Sequence, residues 1–188
     1  MKTLYKVFKK DLKSDNGDIK WKIGKWQHHK GKLDMCCSGF HASENVIDAM
    51  GYTDAEEIAL VEVKGKHIIQ DDKQCWESMK IVKVWDWKKE DSVSLAIFAA
   101  ELCIKNFEKE YPTDKRPRKA IKTAKKWLKN PTEKNRSAAG SAAESAWSAR
   151  SAAESARYAW SAGSAAGSAI KQQCHDFVIK QLKNAEEI

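Results

Sequence analysis

The first half of the chain alternates short apolar runs with turn residues, which is the pattern of a small sheet. Four runs are of strand type, at residues 4–8, 19–26, 58–63 and 79–87. An Asp-Asn-Gly-Asp turn at 15–18 separates the first two, and a polar turn follows at 28–32. Ser43 or Glu44 is placed to begin a helix that ends near Met50. The pattern therefore predicts a small mixed β-sheet domain with one or two helices over residues 1–91.

The last of these runs has an irregular alternation. One predicted face carries Met79, Ile81, Lys83, Trp85 and Trp87. The other carries Lys80, Val82, Val84 and Asp86. Because Lys83 interrupts the first face, the burial pattern of this strand is mixed.

The second half changes to the periodicity of helices. Ser92 is a good N-cap for a helix over 92–109, and Pro117 is a natural first-turn residue for a helix over 117–129. Asn130-Pro131-Thr132-Glu133 reads as the start of a third helix over 131–185, in which a break near Gly163 or Gly167 is left open. The prediction is an α+β chain whose residues 92–188 form an all-helical domain.

A repeat of serine followed by alanine occupies much of the third helix. Its steps of three and four residues average a little under 3.5, so serine, alanine and a mixed set of Trp, Arg, Glu and Gly form three stripes. Alanine is the best helix former, and an alanine stripe is too small to make a core by itself. We therefore predict that residues 131–168 are helical and packed closely on the preceding helices, or on a second copy of the chain.

Most of the net charge of +8 lies in one segment. Residues 92–136 carry 12 basic and 5 acidic side chains, and residues 115–129 carry eight basic side chains and no acid. This basic helix is either an anion-binding face, for a nucleotide-like ligand or a nucleic-acid backbone, or a solvated lysine face. The candidate ligand-binding residues are Arg116, Arg118, Lys122, Lys125, Lys126 and Lys129. With 29 lysines to 5 arginines, base-specific readout is not indicated.

Cysteine and histidine side chains are the other candidate chemistry. His28, His29, Cys36, Cys37, His41 and Cys75 lack the spacing of a zinc site, so neither a metal nor a cofactor is predicted. Cys36 or Cys37 with His41 forms a candidate nucleophile and base, but nothing marks a third orienting group. We assign no catalytic residue. Five cysteines, two of them adjacent, favour a reducing cytoplasm, and no apolar run suits a membrane span or a secretory leader.

Residues 4–87 carry motifs that resemble a known domain. The motifs are Tyr5-Lys6-x-Phe8, Ile23-Gly24-Lys25, Cys37-x-Gly39-Phe40-His41-Ala42 and Val61-Glu62-Val63-x-Gly65. They are similar to an uncharacterised domain common in phage and prophage proteins, which usually has Cys where this chain has Ser43. The order of strand, Gly-Phe-His-Ala, helix and strand also resembles ADP-ribosyltransferase-like folds. That resemblance implies a nicotinamide nucleotide cleft near Tyr5, Phe40 and His41, with Glu77 as a weak catalytic candidate.

Residues 92–182 carry a second resemblance. Arg116-Pro117-Arg118-x-Ala120-Ile121, Lys126-Trp127-Leu128 and the alanine-rich stretch are similar to the helical module of immunity proteins from polymorphic-toxin systems. This resemblance implies a toxin protein as the partner.

Three hypotheses of function follow from the patterns and the resemblances. The first is a non-catalytic phage or mobile-element protein, in the host cytoplasm, that binds an anionic nucleotide-like ligand or a host defence protein. The second is an ADP-ribosyltransferase-like enzyme that acts through the N-terminal domain. The third is an immunity protein that blocks a toxin through the helical half.

Overall fold

The chain forms an antiparallel sheet followed by helices, which confirms the predicted α+β class. The computed structural model describes residues 2–14, 19–138 and 163–185. It divides into two compact units. The N-terminal unit comprises Met1–Lys88 together with His175–Ile188, and the helical unit comprises Lys89–Cys174.

Five strands form the sheet of the N-terminal unit. They are β1 (Lys2–Phe8), β2 (Trp26–His28), β3 (Phe40–Ala42), β4 (Glu57–Ile69) and β5 (Gln74–Asp86). The order is β1-β4-β5-β2, and β3 also pairs with β5. All of these strand pairs are antiparallel, and in the described residues a parallel pairing occurs as the isolated bridge between Ile23 and Ile81.

The prediction of a strand at residues 19–26 is wrong over most of that range. Residues 19–22 have no regular structure, and the strand in this region is β2 at Trp26–His28. Ile19 and Ile23 are exposed, whereas Trp21 is buried edge-on against Phe8 and Phe40. One buried indole therefore anchors this segment, and no face of alternating buried side chains exists to make it a strand.

β4 and β5 are each 13 residues long, and both exceed their predicted ranges. The extra residues of β4, 64–69, are exposed, so hydrophobicity does not mark them. The extra residues of β5 include the buried polar side chains of Gln74 and Ser78. Backbone pairing in the long hairpin, which an apolar pattern does not record, holds both extensions.

A β-bulge explains the irregular alternation around Lys83. Leu60 pairs with Lys83 but Val61 pairs with Ile81, so Val82 is an extra residue on β5. One extra residue shifts the alternation by one position. Ile81 and Val84 are consequently both buried, while Lys83 is exposed.

The first helix begins later than the sequence indicated. α1 spans Val46–Met50, and the Asn45 side chain caps it by accepting a hydrogen bond from the Ile47 N–H at 2.9 Å. Ser43 is buried and exchanges two backbone hydrogen bonds with Tyr5 of β1. Its role is to extend the sheet pairing, so it does not cap the helix.

The remaining helices are α2 (Lys89–Glu110), α3 (Arg116–Lys129), α4 (residues 133–138) and α5 (Gly163–Asn184). Pro117 lies in the first turn of α3, as predicted. α5 is continuous through Gly167 and buries Cys174, Val178 and Leu182 at four-residue spacing. The predicted packing of the alanine stripe concerns mostly residues 139–162, which lie outside the described residues. No helix in the described ranges is long and apolar enough to cross a membrane.

Candidate functional site

The basic helix α3 packs against α2 in the helical unit, and the contact uses charge as well as apolar surface. Trp127 of α3 is buried, as are Ile97 and Ile104 of α2. Arg118 donates two hydrogen bonds to the Glu108 carboxylate, both at 2.5 Å, and Lys125 lies 2.5 Å from Glu101. The two basic residues are seven positions apart on α3, and the two acids are seven positions apart on α2. Equal spacing in opposite chain directions is expected for two helices that pack antiparallel.

Three of the six predicted anion-binding residues are therefore occupied by acids. Besides Arg118 and Lys125, Arg116 forms an ion pair with Asp114 at 2.7 Å. The neighbouring guanidinium groups hold the pKa values of Glu108 and Asp114 below their ordinary range. The sequence of residues 115–129 contains no acid, so it does not show this neutralisation. Two of the neutralising acids come from α2, and the third lies just before the segment.

Four other lysines of α3 have no acidic side chain within ion-pair distance in the described part of the chain, and we call them the lysine stripe. They are Lys119, Lys122, Lys126 and Lys129. All four are exposed, and in the described part of the chain none forms an ion pair or a side-chain hydrogen bond. At 3.6 residues per turn they lie within about 80° of each other, opposite the apolar side of the helix. Lys119 belongs to the stripe by spacing, although the predicted binding set omitted it.

The second group of chemically active side chains lies in the N-terminal unit. Cys36 is exposed and its sulfur lies 2.9 Å from the Lys73 amine. The backbone N–H of Cys36 donates to Nε2 of His41 at 3.0 Å. We call Cys36, His41 and Lys73 the thiol cluster. Sequence reasoning paired Cys36 with His41 but missed Lys73, which comes from the β4–β5 turn and has no motif around it.

The predicted cleft residues Tyr5, Phe40 and His41 have different surroundings. Phe40 is 6% exposed and packs in the core, with its ring 5.3 Å from that of Trp21. His41 follows it on β3 and contacts Cys36, as described. The ring of Tyr5 lies edge-on to His175 of α5, with the centroids 5.6 Å apart, and burial raises the pKa of its hydroxyl.

Glu77, the candidate catalytic glutamate, lies against a bulge in β4. Gly65 has a φ of 90°, and a Cβ there would lie 2.4 Å from the Glu77 carboxylate. That carboxylate accepts a hydrogen bond from the Lys66 N–H at 3.2 Å. Glu77 therefore occupies the space that the glycine leaves open and stabilises the bulge.

Most of the histidines and cysteines considered for metal binding have hydrogen-bond partners within the protein. His28 Nδ1 lies 2.9 Å from the Ser78 hydroxyl, and His29 Nε2 lies 2.9 Å from that of Ser38. The buried Cys75 thiol donates to the Ser38 carbonyl at 3.1 Å. Across the described ranges, no three His, Cys, Asp or Glu side chains are grouped to hold a metal ion.

Lowering the pH is expected to destabilise the protein through His41. Burial, followed by the charges of Lys6 and Lys73, lowers the pKa of the His41 imidazole in the folded state. As the pH falls through about 6.5, the unfolded chain takes up a proton that the folded chain does not, so stability decreases. Glutamine at this position retains a hydrogen-bond acceptor without titrating. We expect the melting temperature of His41→Gln to fall less between pH 7.5 and 5.5 than that of the unsubstituted protein.

The measurement is thermal unfolding across that pH range in one buffer system. Similar melting temperatures of the two proteins at pH 8 will show that the substitution itself is tolerated. Parallel pH responses from 7.5 to 5.5 would show that His41 does not contribute to the acid sensitivity.

The C-terminal helix contributes a contact that no sequence motif indicated. His175 Nδ1 accepts the backbone N–H of Val46 at 3.1 Å, which satisfies a free amide in the first turn of α1. The same imidazole packs on Tyr5. His175 therefore joins α1 and β1 to α5 within the N-terminal unit.

Comparison with known families assigns a match to each half of the chain. Residues 2–91 match the domain of unknown function DUF7666. Residues 86–179 match the Imm-5 like putative immunity protein family. No curated protein and no solved structure matches the chain. The lysine stripe lies within the second match. Because that match spans half of the 188 residues, the chain belongs to the family of Imm-5 like putative immunity proteins.

Proposed function

We propose that this chain is an immunity protein that binds and blocks a toxin protein, and that the lysine stripe contacts an acidic surface of that toxin. The observation that carries the proposal is the charge arrangement on α3 within the family-matched region. Arg118 and Lys125 are neutralised by acids of α2, whereas the four lysines of the stripe face solvent. The family membership supplies the class of partner.

The stripe has an electrostatic cost in the free protein. Like charges three and four residues apart on a helix repel by a few tenths of a kcal/mol per pair. An acidic partner surface removes this repulsion on binding and also accelerates the encounter of the two proteins. Lysine suits this role because its ammonium group is a mobile point charge that does not demand the bidentate geometry of arginine.

Replacing all four stripe lysines is expected to weaken toxin binding without unfolding the chain. Exposed ion pairs contribute about 0.5 kcal/mol each, so four of them correspond to roughly a 30-fold change in Kd. The variant is Lys119→Gln with Lys122→Gln, Lys126→Gln and Lys129→Gln. The probes are toxin domains encoded beside Imm-5 like immunity genes, tested by protection of growth on co-expression and by calorimetric titration at two salt concentrations.

The matched control removes four exposed lysines from the N-terminal unit. Lys20, Lys22, Lys25 and Lys30 are all exposed, and their replacement by glutamine changes the net charge by the same amount. We expect this control to protect cells as well as the unsubstituted chain does. Equal losses in the two variants would reduce the effect to net charge, and no loss in either would place the toxin contact elsewhere.

Nucleotide binding by the same face is a separate outcome of the experiment. A nucleotide or short oligonucleotide that raises the melting temperature of the unsubstituted chain, but not that of the stripe variant, would favour an anionic ligand over an acidic protein surface. Protection of growth by a toxin-specific interaction, with no response to nucleotides, supports the immunity function.

A further inference from the structure

The thiol cluster of the N-terminal unit has no part in the proposed toxin contact, yet its side chains are held close together. Cys36 lies in the turn between residues 34 and 38, His41 lies on β3, and Lys73 lies in the β4–β5 turn, just before β5 begins. These positions are up to 37 residues apart in sequence, and the tertiary fold brings the Lys73 amine to 2.9 Å from the Cys36 sulfur.

Lys73 is positioned by a second set of contacts. Its ammonium group lies over the Tyr52 ring, 4.3 Å from the centroid, and the Tyr52 hydroxyl is hydrogen-bonded to Asp72. The Cys36 sulfur raises the pKa of Lys73, which keeps its ammonium form at neutral pH. The lysine is therefore a charged hydrogen-bond donor directed at the thiol.

His41 fixes the backbone of Cys36. Cys36 has a φ of 68°, in the left-handed region, and its N–H donates to the His41 imidazole at 3.0 Å. Nε2 must lack a proton to accept this bond, which the lowered pKa of His41 favours. The imidazole therefore binds the Cys36 backbone N–H and positions the residue, whereas Lys73 is the group in contact with the sulfur.

We propose that Cys36 is a peroxide-sensitive thiol activated by Lys73, which makes the thiol cluster a redox modification site. A cationic neighbour stabilises the thiolate, which is the nucleophilic form of cysteine. Its exposure gives a small hydroperoxide access to the sulfur. The product is Cys36 sulfenic acid, the first and reversible stage of thiol oxidation.

The oxidation balances with hydrogen peroxide as the oxidant. The Cys36 thiolate attacks one peroxide oxygen, so an S–O bond forms as the O–O bond breaks. Sulfur loses two electrons and the peroxide gains them. The departing hydroxide takes a proton from the Lys73 ammonium and leaves as water, and the lysine regains its proton from solvent.

The adjacent Cys37 provides a control within the same molecule. Both thiols are exposed and lie in the same turn, but the Lys73 amine is hydrogen-bonded to the Cys36 sulfur, and among the described residues the Cys37 sulfur has no lysine partner. Cys75 and Cys174 are buried and should stay unlabelled while the chain is folded. Comparison of these four cysteines separates activation by Lys73 from exposure alone and from unfolding.

The test treats the full chain with hydrogen peroxide and dimedone at pH 7 and measures the labelling of each cysteine by peptide mass spectrometry. We expect Cys36 to be labelled at least about tenfold faster than Cys37. Lys73→Met should reduce the Cys36 rate to that of Cys37, and Lys73→Arg should retain most of the difference because arginine keeps the positive charge.

Two results would overturn the proposal. One is equal labelling of Cys36 and Cys37 in the unsubstituted chain. The other is a Cys36 rate that does not change in Lys73→Met while Cys75 and Cys174 stay protected. If labelling of the buried cysteines shows that Lys73→Met is unfolded, Tyr52→Leu provides the second variant, since loss of the ring that holds Lys73 should also slow Cys36, and an unchanged rate there refutes the proposal.

Discussion

Gly39→Ala is expected to destabilise the N-terminal unit by about 3–5 kcal/mol, through backbone strain and overpacking together. Gly39 has a φ of 114°, a backbone conformation that residues other than glycine rarely adopt. A Cβ at this position would lie 2.5 Å from the Cys75 sulfur and 2.8 Å from Cδ2 of Leu33. The sulfur cannot move freely, because Cys75 is fully buried in β5 and its thiol donates a hydrogen bond to the Ser38 carbonyl. Chemical denaturation monitored by tryptophan fluorescence measures the change.

Gly31→Ala is the matched control for backbone strain. Gly31 has a similar φ of 130°, but a Cβ there would approach only His29, at 3.6 Å. We expect this substitution to cost about 1–3 kcal/mol, the strain alone. Adding Cys75→Ala to Gly39→Ala should recover part of the overpacking energy. Equal losses for the two glycine variants, with no recovery in the double variant, would show that Cys75 does not restrict this position.

Val178→Asp is expected to produce the other large loss of stability. Val178 is fully buried on α5, whose residues from His175 onward belong to the N-terminal unit. A carboxylate in this fully buried position loses its hydration, and burying a charge without a matched partner costs several kcal/mol. We expect a lower melting temperature and faster proteolytic cleavage near the C-terminal end of the chain.

Gln173→Asp introduces the same charge on the same helix at an exposed position. This control should change the free energy of unfolding by less than about 0.5 kcal/mol. If Val178→Asp is equally mild, α5 does not contribute to the stability of the N-terminal unit. The comparison therefore tests whether the C-terminal residues are a structural part of that unit.

The hydrophobic and polar pattern determined the broad organisation of this protein. Apolar runs of strand type fell on β1, on the first half of β4 and on the second half of β5, where side chains are buried. Proline and the 3.6-residue period located α3, with its apolar side and its basic side. These features depend on residues close together in sequence, and periodicity reports such local order. The family-level resemblance of the helical half was also visible in Arg116–Leu128, and the Imm-5 like match confirms it.

The charge state of α3 could not be read from the segment itself. The sequence shows eight basic residues without an acid, but the antiparallel packing of α2 places Glu101 and Glu108 beside two of them. Pairing between helices depends on their register, which the intervening loop and the apolar contact determine. Only the structure therefore distinguished the neutralised residues from the lysine stripe.

Long-range contacts decided the rest. Lys73 reaches Cys36 because the β4–β5 hairpin turns back beside the 34–38 turn, and His175 reaches Val46 from 129 residues away. The bulge at Val82, which buries Val84 and exposes Lys83, is likewise a property of strand pairing. Sequence patterns record which side chains avoid water, because burial repeats with the local helix or strand period. They do not record which distant segment supplies the partner, since that depends on the packing of the whole unit.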